Sequence, residues 1–584
     1  MLPTHRAAAR RLGVSARSGL GVSARSGLGV PARPGLAPPA AHRRIHDGSP
    51  GLTNAEAAPA APEAHHDRQQ RSSAIDQVLA RRAQAGKLVA GIAAASDSDM
   101  FKGPQTGKPM ARRWDDHLTH ESLERRPCSL KQAARHLKKP GLISLGSGLP
   151  SSQHFPFAQL AMKVPVAPRF SEQETLERGQ TVTIGKYDMR DHGATYDLSI
   201  ALNYGQATGS AQMMRFLTEH TEIVCNPPYA DWRICQTIGS TGALEQALRM
   251  FCDKGRGDSV LTEQFSFSTA LETIEPLGVK AFGCAIDDQG LLPNAMDDLL
   301  TNWDAQARGA RKPHVLYTVP SGQNPTGATQ GAQRRRDIYR IARKHDMFVL
   351  EDEPYYFLQM QPYAGRDQPD VPPPSTVDDF LSSLVPSYVS IDVDGRVLRL
   401  DSFSKVLVPG SRAGWVVGSE QIIERYQRHA EVASQGPAGF SQIILHKLLD
   451  ETWGHEGYLR WLMNLRLEYT KKRNSLLAAC EDHLPRDIVH WTPPAAGMFM
   501  WLTVDYSKHP DAGRRSMEEI EEEIFGSCID SGVLVARGSW FLTEKDKPLP
   551  GLHFRTTFAT ASPEAMREAI MRFSKAIRDS FGQP

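Results

Sequence analysis

The chain has 584 residues, 40% apolar and 23% charged, with 68 basic against 66 acidic side chains. That is enough for two packed lobes of an ordinary globular protein, and the near balance of charge gives no reason to expect a nucleic-acid partner or an anionic membrane. The cysteines (Cys128, Cys225, Cys235, Cys252, Cys284, Cys480 and Cys528) are odd in number and scattered, with no Cys-x-x-Cys pair, which fits a reducing compartment and suggests no metal site; no apolar run approaches the ~20 residues of a membrane span.

Residues 1–46 hold no acidic side chain, while Arg6, Arg10, Arg11, Arg17, Arg25, Arg33, Arg43 and Arg44 run through them. The octamer GVSARSGL stands at 13–20, repeats at 21–28, and returns with prolines at 29–36. This is the composition of a mitochondrial transit peptide. A low-complexity leader made by local duplication, on a cytoplasmic protein, is the other reading. Residues 47–113, rich in Ala, Pro, Gln and charge, predict a low-complexity linker with one helical pattern at about 73–87. Residues 114–195 predict an N-terminal arm and part of a small domain, with a turn-rich stretch SLGSGLP at 144–150.

From 196 to 450 short apolar runs alternate with helical patterns. The runs 234–238, 314–319, 347–350, 397–400 and 413–417 predict buried strands. Between them, the pattern 242–252 sets Leu244, Leu248 and Phe251 on one helical face. Such alternation predicts an α/β domain with a mostly parallel sheet covered on both sides, whose ligand sits at the carboxyl ends of the strands. Residues 451–584, with long helical patterns and strand-like runs at 497–504 and 552–558, predict a smaller α+β domain.

Five segments fall at strand ends or loops in that layout. Gly239-Ser240-Thr241-Gly242 lies between a strand and a helix, a cradle for phosphate or simply a good N-cap. The loop 320–327 (PSGQNPTG) fixes Asn324 next to proline, though such a stretch also serves as a plain turn. Glu351-Asp352-Glu353-Pro354-Tyr355 puts a carboxylate and a phenol at a strand end; alternation points Glu351 and Glu353 away from Asp352, as solvated or structural residues. In Ser402-Phe403-Ser404-Lys405, followed by Arg412, an amine stands among hydroxyls with a cation close by, the set that holds pyridoxal phosphate as a Schiff base. Arg555, alone in an apolar strand, either pairs with a core carboxylate or offers a fork to a substrate carboxylate.

The strings ISLGSGLPSSQHFPF, LNYGQATG, QNPTG, EDEPYYFL, DSFSKVLVPGSRAGW, PAAGMFMWL and FRTTFATASPE together resemble the class I/II, fold-type I pyridoxal-phosphate aminotransferases. The similarity is to the aromatic amino acid, 2-aminoadipate and kynurenine group, and runs from about Trp114 to the C-terminus. It implies a large cofactor domain with a seven-stranded sheet, a smaller α+β domain, pyridoxal 5'-phosphate, amino acid and 2-oxo acid substrates, and a homodimer with shared active sites. It makes Lys405 the Schiff-base lysine and proton shuttle, and pairs Asp352 with the pyridine nitrogen. It sets Tyr355 and Asn324 on the ring oxygen, and Phe267 on the ring face, where tyrosine is frequent. Ser240, Thr241, Ser402, Ser404 and Arg412 would hold the phosphate, with Tyr204 reaching it from the neighbouring subunit. Arg555, with Asn324 and the Gly148 backbone, would bind the α-carboxylate, and Lys131 would meet the substrate side chain. The chain departs from the common pattern at Ser147, where glycine is usual, and at Glu353, where aspartate is usual.

The activity implied is ping-pong transfer of an amino group from Phe, Tyr, Trp or kynurenine, or from 2-aminoadipate, Leu or Met, to an acceptor such as 2-oxoglutarate. The alternatives are another fold-type I enzyme, a lyase or decarboxylase, or a non-catalytic regulator. The regulator would need a helix-turn-helix that the glycine- and proline-rich leader does not offer.

Overall fold

Alternating residues of the central strands feed two separate apolar layers, and this decides the architecture. Ile234, Leu261, Leu316, Val349, Val397 and Val417 belong to one core cluster, while Cys235, Val260, Val315, Phe348, Leu350, Leu398, Leu400 and Val416 belong to a second. A strand with period-two side chains can serve both only if the sheet is covered on both faces. The structure is a computed structural model that describes residues 63–139, 141–146 and 148–583; the expected transit leader lies outside them.

In chain order, β1 (Gln159–Val164) and β2 (Gln180–Gly185) form an antiparallel hairpin. The main sheet takes β3 (Trp232–Thr237), β4 (Ser259–Glu263) and β5 (Lys280–Cys284), and the two-residue strands β6 (Ile286–Asp287) and β7 (Gly290–Leu291) make a side hairpin. The sheet is completed by β8 (Val315–Thr318), β9 (Phe348–Asp352), β10 (Val397–Ser402) and β11 (Gly414–Ser419). The order is β3-β11-β10-β9-β8-β4-β5, and β11 alone runs antiparallel to its neighbours. A second, antiparallel sheet has the order β12-β13-β15-β14, from β12 (Val489–His490), β13 (Phe499–Val504), β14 (Ala536–Arg537) and β15 (Leu552–Thr557). It packs on the helices Met517–Asp530 and Pro563–Ser580 through Phe554, Ile524, Ile570 and Phe573. The helix Gly454–His483 ties the lobes together, placing Tyr458, Leu459 and Leu462 in a large-lobe core and Leu476 and Leu477 in the small one.

Two segments differ from expectation. Within 114–195, Ile184 of the hairpin packs with Tyr196, Leu198, Ala201 and Ile443 rather than with the small lobe. From residue 74 onward, the stretch expected as linker is a strap. The helix Glu63–Ala85 buries Val78 and pairs Arg82 with Glu219 at 2.5 Å and with Asp450 at 2.6 Å. Beyond it, Ser98 accepts the Ile234 amide (2.9 Å), and Lys102 donates to the Trp232 carbonyl (2.9 Å). Because β3 is an edge strand, these contacts cover backbone groups that would otherwise template further pairing.

Candidate active site

The parallel strands of the main sheet end along one rim, and β11 begins there. After β3, Gly239 takes φ +99°, a conformation only glycine adopts without strain. The helix Ser240–Phe251 follows with no side-chain cap hydrogen bond, leaving its first amides to act as anion donors. Facing that turn is Arg412, itself left-handed (φ +45°), with a guanidinium so close that a Cβ on Gly239 would stand 2.6 Å from Nη2. Arg412 Nη1 donates to Ser404 Oγ (3.3 Å) and to the Pro409 carbonyl (3.0 Å), and Ser402 Oγ donates to Ser404 Oγ (2.9 Å). Ser240, Ser402, Ser404 and Arg412 thus close around one point, with Thr241 exposed in the same helix turn.

Lys405 follows the β10 end. Burial, then the charges of Arg412 and Arg555, lower its pKa from the ordinary lysine range.

Asp352 ends β9 on the same face as Phe348 and Leu350. Tyr317 of the adjacent β8 donates to its Oδ2 at 2.9 Å, while Oδ1 is buried with no hydrogen-bond partner. Burial pushes the carboxyl up to about 7; Tyr317 opposes this, and the charges of Asp401 and Glu263 reinforce it. A buried carboxyl oxygen without a partner calls for a hydrogen-bond donor, and a protonated pyridine nitrogen would meet that need. The residues present therefore fit pyridoxal phosphate: an anion cradle, an amine and a buried carboxylate along one rim.

Tyr355 is buried edge-on to Phe499, ring centroids 5.9 Å apart, and burial raises its hydroxyl pKa. Asn324 accepts at Oδ1 from Arg555 Nη1 at 2.6 Å. Arg555 leaves β15 between the rings of Phe499 (4.3 Å) and Phe541 (4.7 Å), and burial lowers its pKa. Phe267 stands at the start of the helix Ser268–Ile274, partly buried against the second core layer.

Three expected residues lie elsewhere. Lys131, Gly148 and Tyr204 line a separate cleft of about 580 Å³ that includes none of the residues above. There the Lys131 amine donates to the Gly205 carbonyl and sits 5.9 Å over the Tyr204 ring. Tyr204 is 57% exposed.

Glu351 and Glu353, whose alternation away from Asp352 allowed a solvated reading, are both buried. The far face of β9 is itself covered, so alternation moves them into the other core layer, not into water. Glu351 accepts from Ser387 Oγ (2.8 Å) and from the amides of Tyr388 and Val389. Arg335, missed in the sequence because it stands in the run Arg334-Arg335-Arg336, pairs with Glu353 at 3.0 Å. The spacing of Arg335, Ile338, Tyr339 and Ala342 carried the signal, since it sets Arg335 on the buried helix face. Tyr317, also missed, needed the adjacency of β8 and β9.

Comparison with known proteins agrees. The family described as Aminotransferase class I and II matches residues 208–573. An aromatic amino acid aminotransferase of Schizosaccharomyces pombe is 43% identical over 474 residues, 80% of this chain and 98% of the relative. An L-tyrosine:2-oxoglutarate aminotransferase of Serpula lacrymans is 34% identical, over 73% of this chain and 83% of its own. The crystal structure of aminotransferase Aro8 from Candida albicans superposes with a TM-score of 0.74 at 37% identity, covering 81% of this chain and all of that one.

Proposed function

The chain belongs to the class I and II aminotransferase family, whose members work with pyridoxal 5'-phosphate, and from that premise we propose that it moves the α-amino group of aromatic amino acids to a 2-oxo acid. Phenylalanine, tyrosine, tryptophan and kynurenine are the donors in this reading, with 2-oxoglutarate as acceptor. The observation that carries it is the half-satisfied, buried Asp352 carboxylate on the rim that also bears Lys405 and the Gly239–Arg412 cradle. The activities in the names of the Schizosaccharomyces and Serpula relatives support the substrate class.

Bound pyridoxal phosphate supplies an electron sink for the charge left when the Cα–H bond breaks. In this reading the chain's own residues divide the remaining work. Ser240, Thr241, Ser402, Ser404 and Arg412 hold the phosphate. Asp352, whose Oδ1 has no partner, would accept the ring N–H and favour its protonated form, Tyr355 and Asn324 would hydrogen-bond the ring oxygen, and Phe267 would cover a ring face. Arg555, assisted by Asn324, would grip the α-carboxylate, orienting Cα so that the proton is the group lost. The Lys405 amine, with its pKa lowered, takes that proton and returns it. The donor leaves as a 2-oxo acid before the acceptor binds, giving ping-pong kinetics.

Lys131 and Tyr204 enter this scheme only across a subunit boundary: a homodimer would carry Tyr204 of one copy to the phosphate of the other, and Lys131 toward the substrate side chain. The leader composition supports delivery to mitochondria, and an uncleaved cytosolic protein would contradict it. A panel of amino donors with 2-oxoglutarate, read by the cofactor's absorbance change, tests the substrate class. Aromatic donors should be turned over; activity confined to small acidic donors would overturn the proposal.

A further inference from the structure

One buried group of charges has no part in the scheme above. Glu353 Oε1 accepts from Ser321 Oγ (3.0 Å) and from Arg335 Nη1 (3.0 Å), and Arg335 Nη2 donates to Ser321 Oγ (2.7 Å), closing a triangle. All three side chains are buried. Glu353 is fixed at its other end, because its amide donates to the Leu400 carbonyl of β10 (3.0 Å). Arg335 Nε donates to the Gln330 carbonyl (3.1 Å), and the Gln330 amide to the Pro320 carbonyl (2.9 Å). Both ends of the loop 320–330 are therefore tied to one carboxylate–guanidinium pair. The loop has a second stop on the small-lobe side: Gly322 (φ +57°) lies so near that a Cβ there would stand 2.4 Å from the Gly497 amide nitrogen. Between these stops, three residues after Ser321, the loop presents Asn324 to Arg555 at 2.6 Å.

We propose that Glu353, acting through Arg335 and Ser321, is the positioning residue that fixes the Asn324 amide against Arg555. One strand end then sets two things at once: Asp352 for the cofactor ring and, by the next residue, the loop that completes carboxylate recognition. Glu353 supplies the closest anion to a fully buried cation, since Glu351 stands farther from Arg335, at 3.7 Å. Its length matters. An aspartate would fall one C–C bond short, about 1.5 Å, stretching contacts of 3.0 Å beyond hydrogen-bonding range.

The test uses the full-length holoenzyme and its cofactor-free form, with Glu353→Asp, Glu353→Gln and Ser321→Ala. Hydrogen exchange of the amides of residues 321–324, 326 and 327 should quicken in Glu353→Asp and Ser321→Ala in both forms. The KM for phenylalanine and for 2-oxoglutarate should rise about tenfold, the loss expected for one hydrogen bond to a charged group, while kcat changes far less. Glu353→Gln, which keeps the length and one acceptor, should recover part of the KM loss. Wild-type exchange and KM accompanied only by a lower melting temperature would overturn the proposal and leave Glu353 a packing residue. Should Glu353→Asp fail to fold, Ser321→Ala, the loss of a single hydroxyl, carries the same two readouts. The inference rests on assigning Asn324 and Arg555 to the substrate carboxylate, and Asn324→Ala separates the two. If that variant raises KM and Ser321→Ala does not, the clamp falls and the site reading stands; if Asn324→Ala leaves KM unchanged, both fall.

Discussion

Replacing Arg555 by lysine keeps the charge and removes the fork. Arg555 reaches the site from β15, bonded at 2.6 Å to Asn324 and held between the rings of Phe499 and Phe541. A lysine would offer a carboxylate one good hydrogen bond in place of two parallel ones, a loss of about 1.5–3 kcal/mol for a charge-assisted bond. Its compact ammonium would also stack less well between the two rings, for roughly another 0.5–1 kcal/mol. The sum, about 2–4 kcal/mol, is on the order of 30- to 1000-fold in kcat/KM. Steady-state kinetics with phenylalanine and 2-oxoglutarate should show the loss for both substrates, because both present an α-carboxylate to the same guanidinium. The cofactor's absorbance should persist, since Arg555 is remote from the phosphate cradle in function. A loss below about threefold, or a loss for one substrate only, would refute the assignment of Arg555 to the shared carboxylate.

Asp352→Asn replaces the buried carboxylate that lacks one partner; losing one member of a buried charge pair costs about 3–5 kcal/mol, so single-turnover absorbance should show the amino-transfer rate falling on the order of a hundredfold or more, and a rate within tenfold of wild type would contradict the pairing. Gly239→Ala forces a positive φ on a residue with a Cβ and drives it against Arg412; a cost of about 1–2 kcal/mol should weaken cofactor binding by roughly tenfold in equilibrium dialysis. Stability should fall in acid through Glu219. Burial works against its charge, but hydrogen bonds from His455 and Arg82 outweigh it and hold the carboxyl at about 2, against an ordinary 4.5. A depressed carboxyl stabilises the fold above the ordinary value and stops doing so as pH drops through the folded one. Thermal melts should therefore lose up to about 3 kcal/mol between pH ~4.5 and ~2, and Glu219→Gln should flatten that decline; parallel curves would exclude Glu219 as its source.

Much of the large lobe was legible because its strands are apolar. The runs at 234–238, 314–319, 347–350, 397–400 and 413–417 each overlap an observed strand, as do the two small-lobe runs. What escaped was polar yet buried. β4 ends in Thr262-Glu263, both without solvent exposure; β5 escaped for another reason, being five residues long with an exposed Lys280 and a glycine at 283. The strap from 74 to 111 shows little periodicity because it is held by side-chain bonds to backbone groups, such as Gln206 to the Ala93 carbonyl (2.7 Å), more than by an apolar face. In the candidate site, Ser240, Ser402, Ser404, Arg412, Asp352, Asn324 and Arg555 stand in short, recognisable strings at or near strands and loops, which is why the sequence singles them out. Tyr317 and the Glu353–Arg335 pair are not, because their partners come from other elements and only the strand order brings them together.

The central claim is that Lys405 carries the cofactor in this site. Borohydride reduction of the holoenzyme, proteolysis and mass spectrometry would locate the attachment. The phosphopyridoxyl mass should fall on the peptide containing Ser404-Lys405-Val406, and a Lys405→Ala protein should show no modified peptide and no sustained turnover. The label on any other lysine, or many turnovers by the Lys405→Ala protein, would contradict the account.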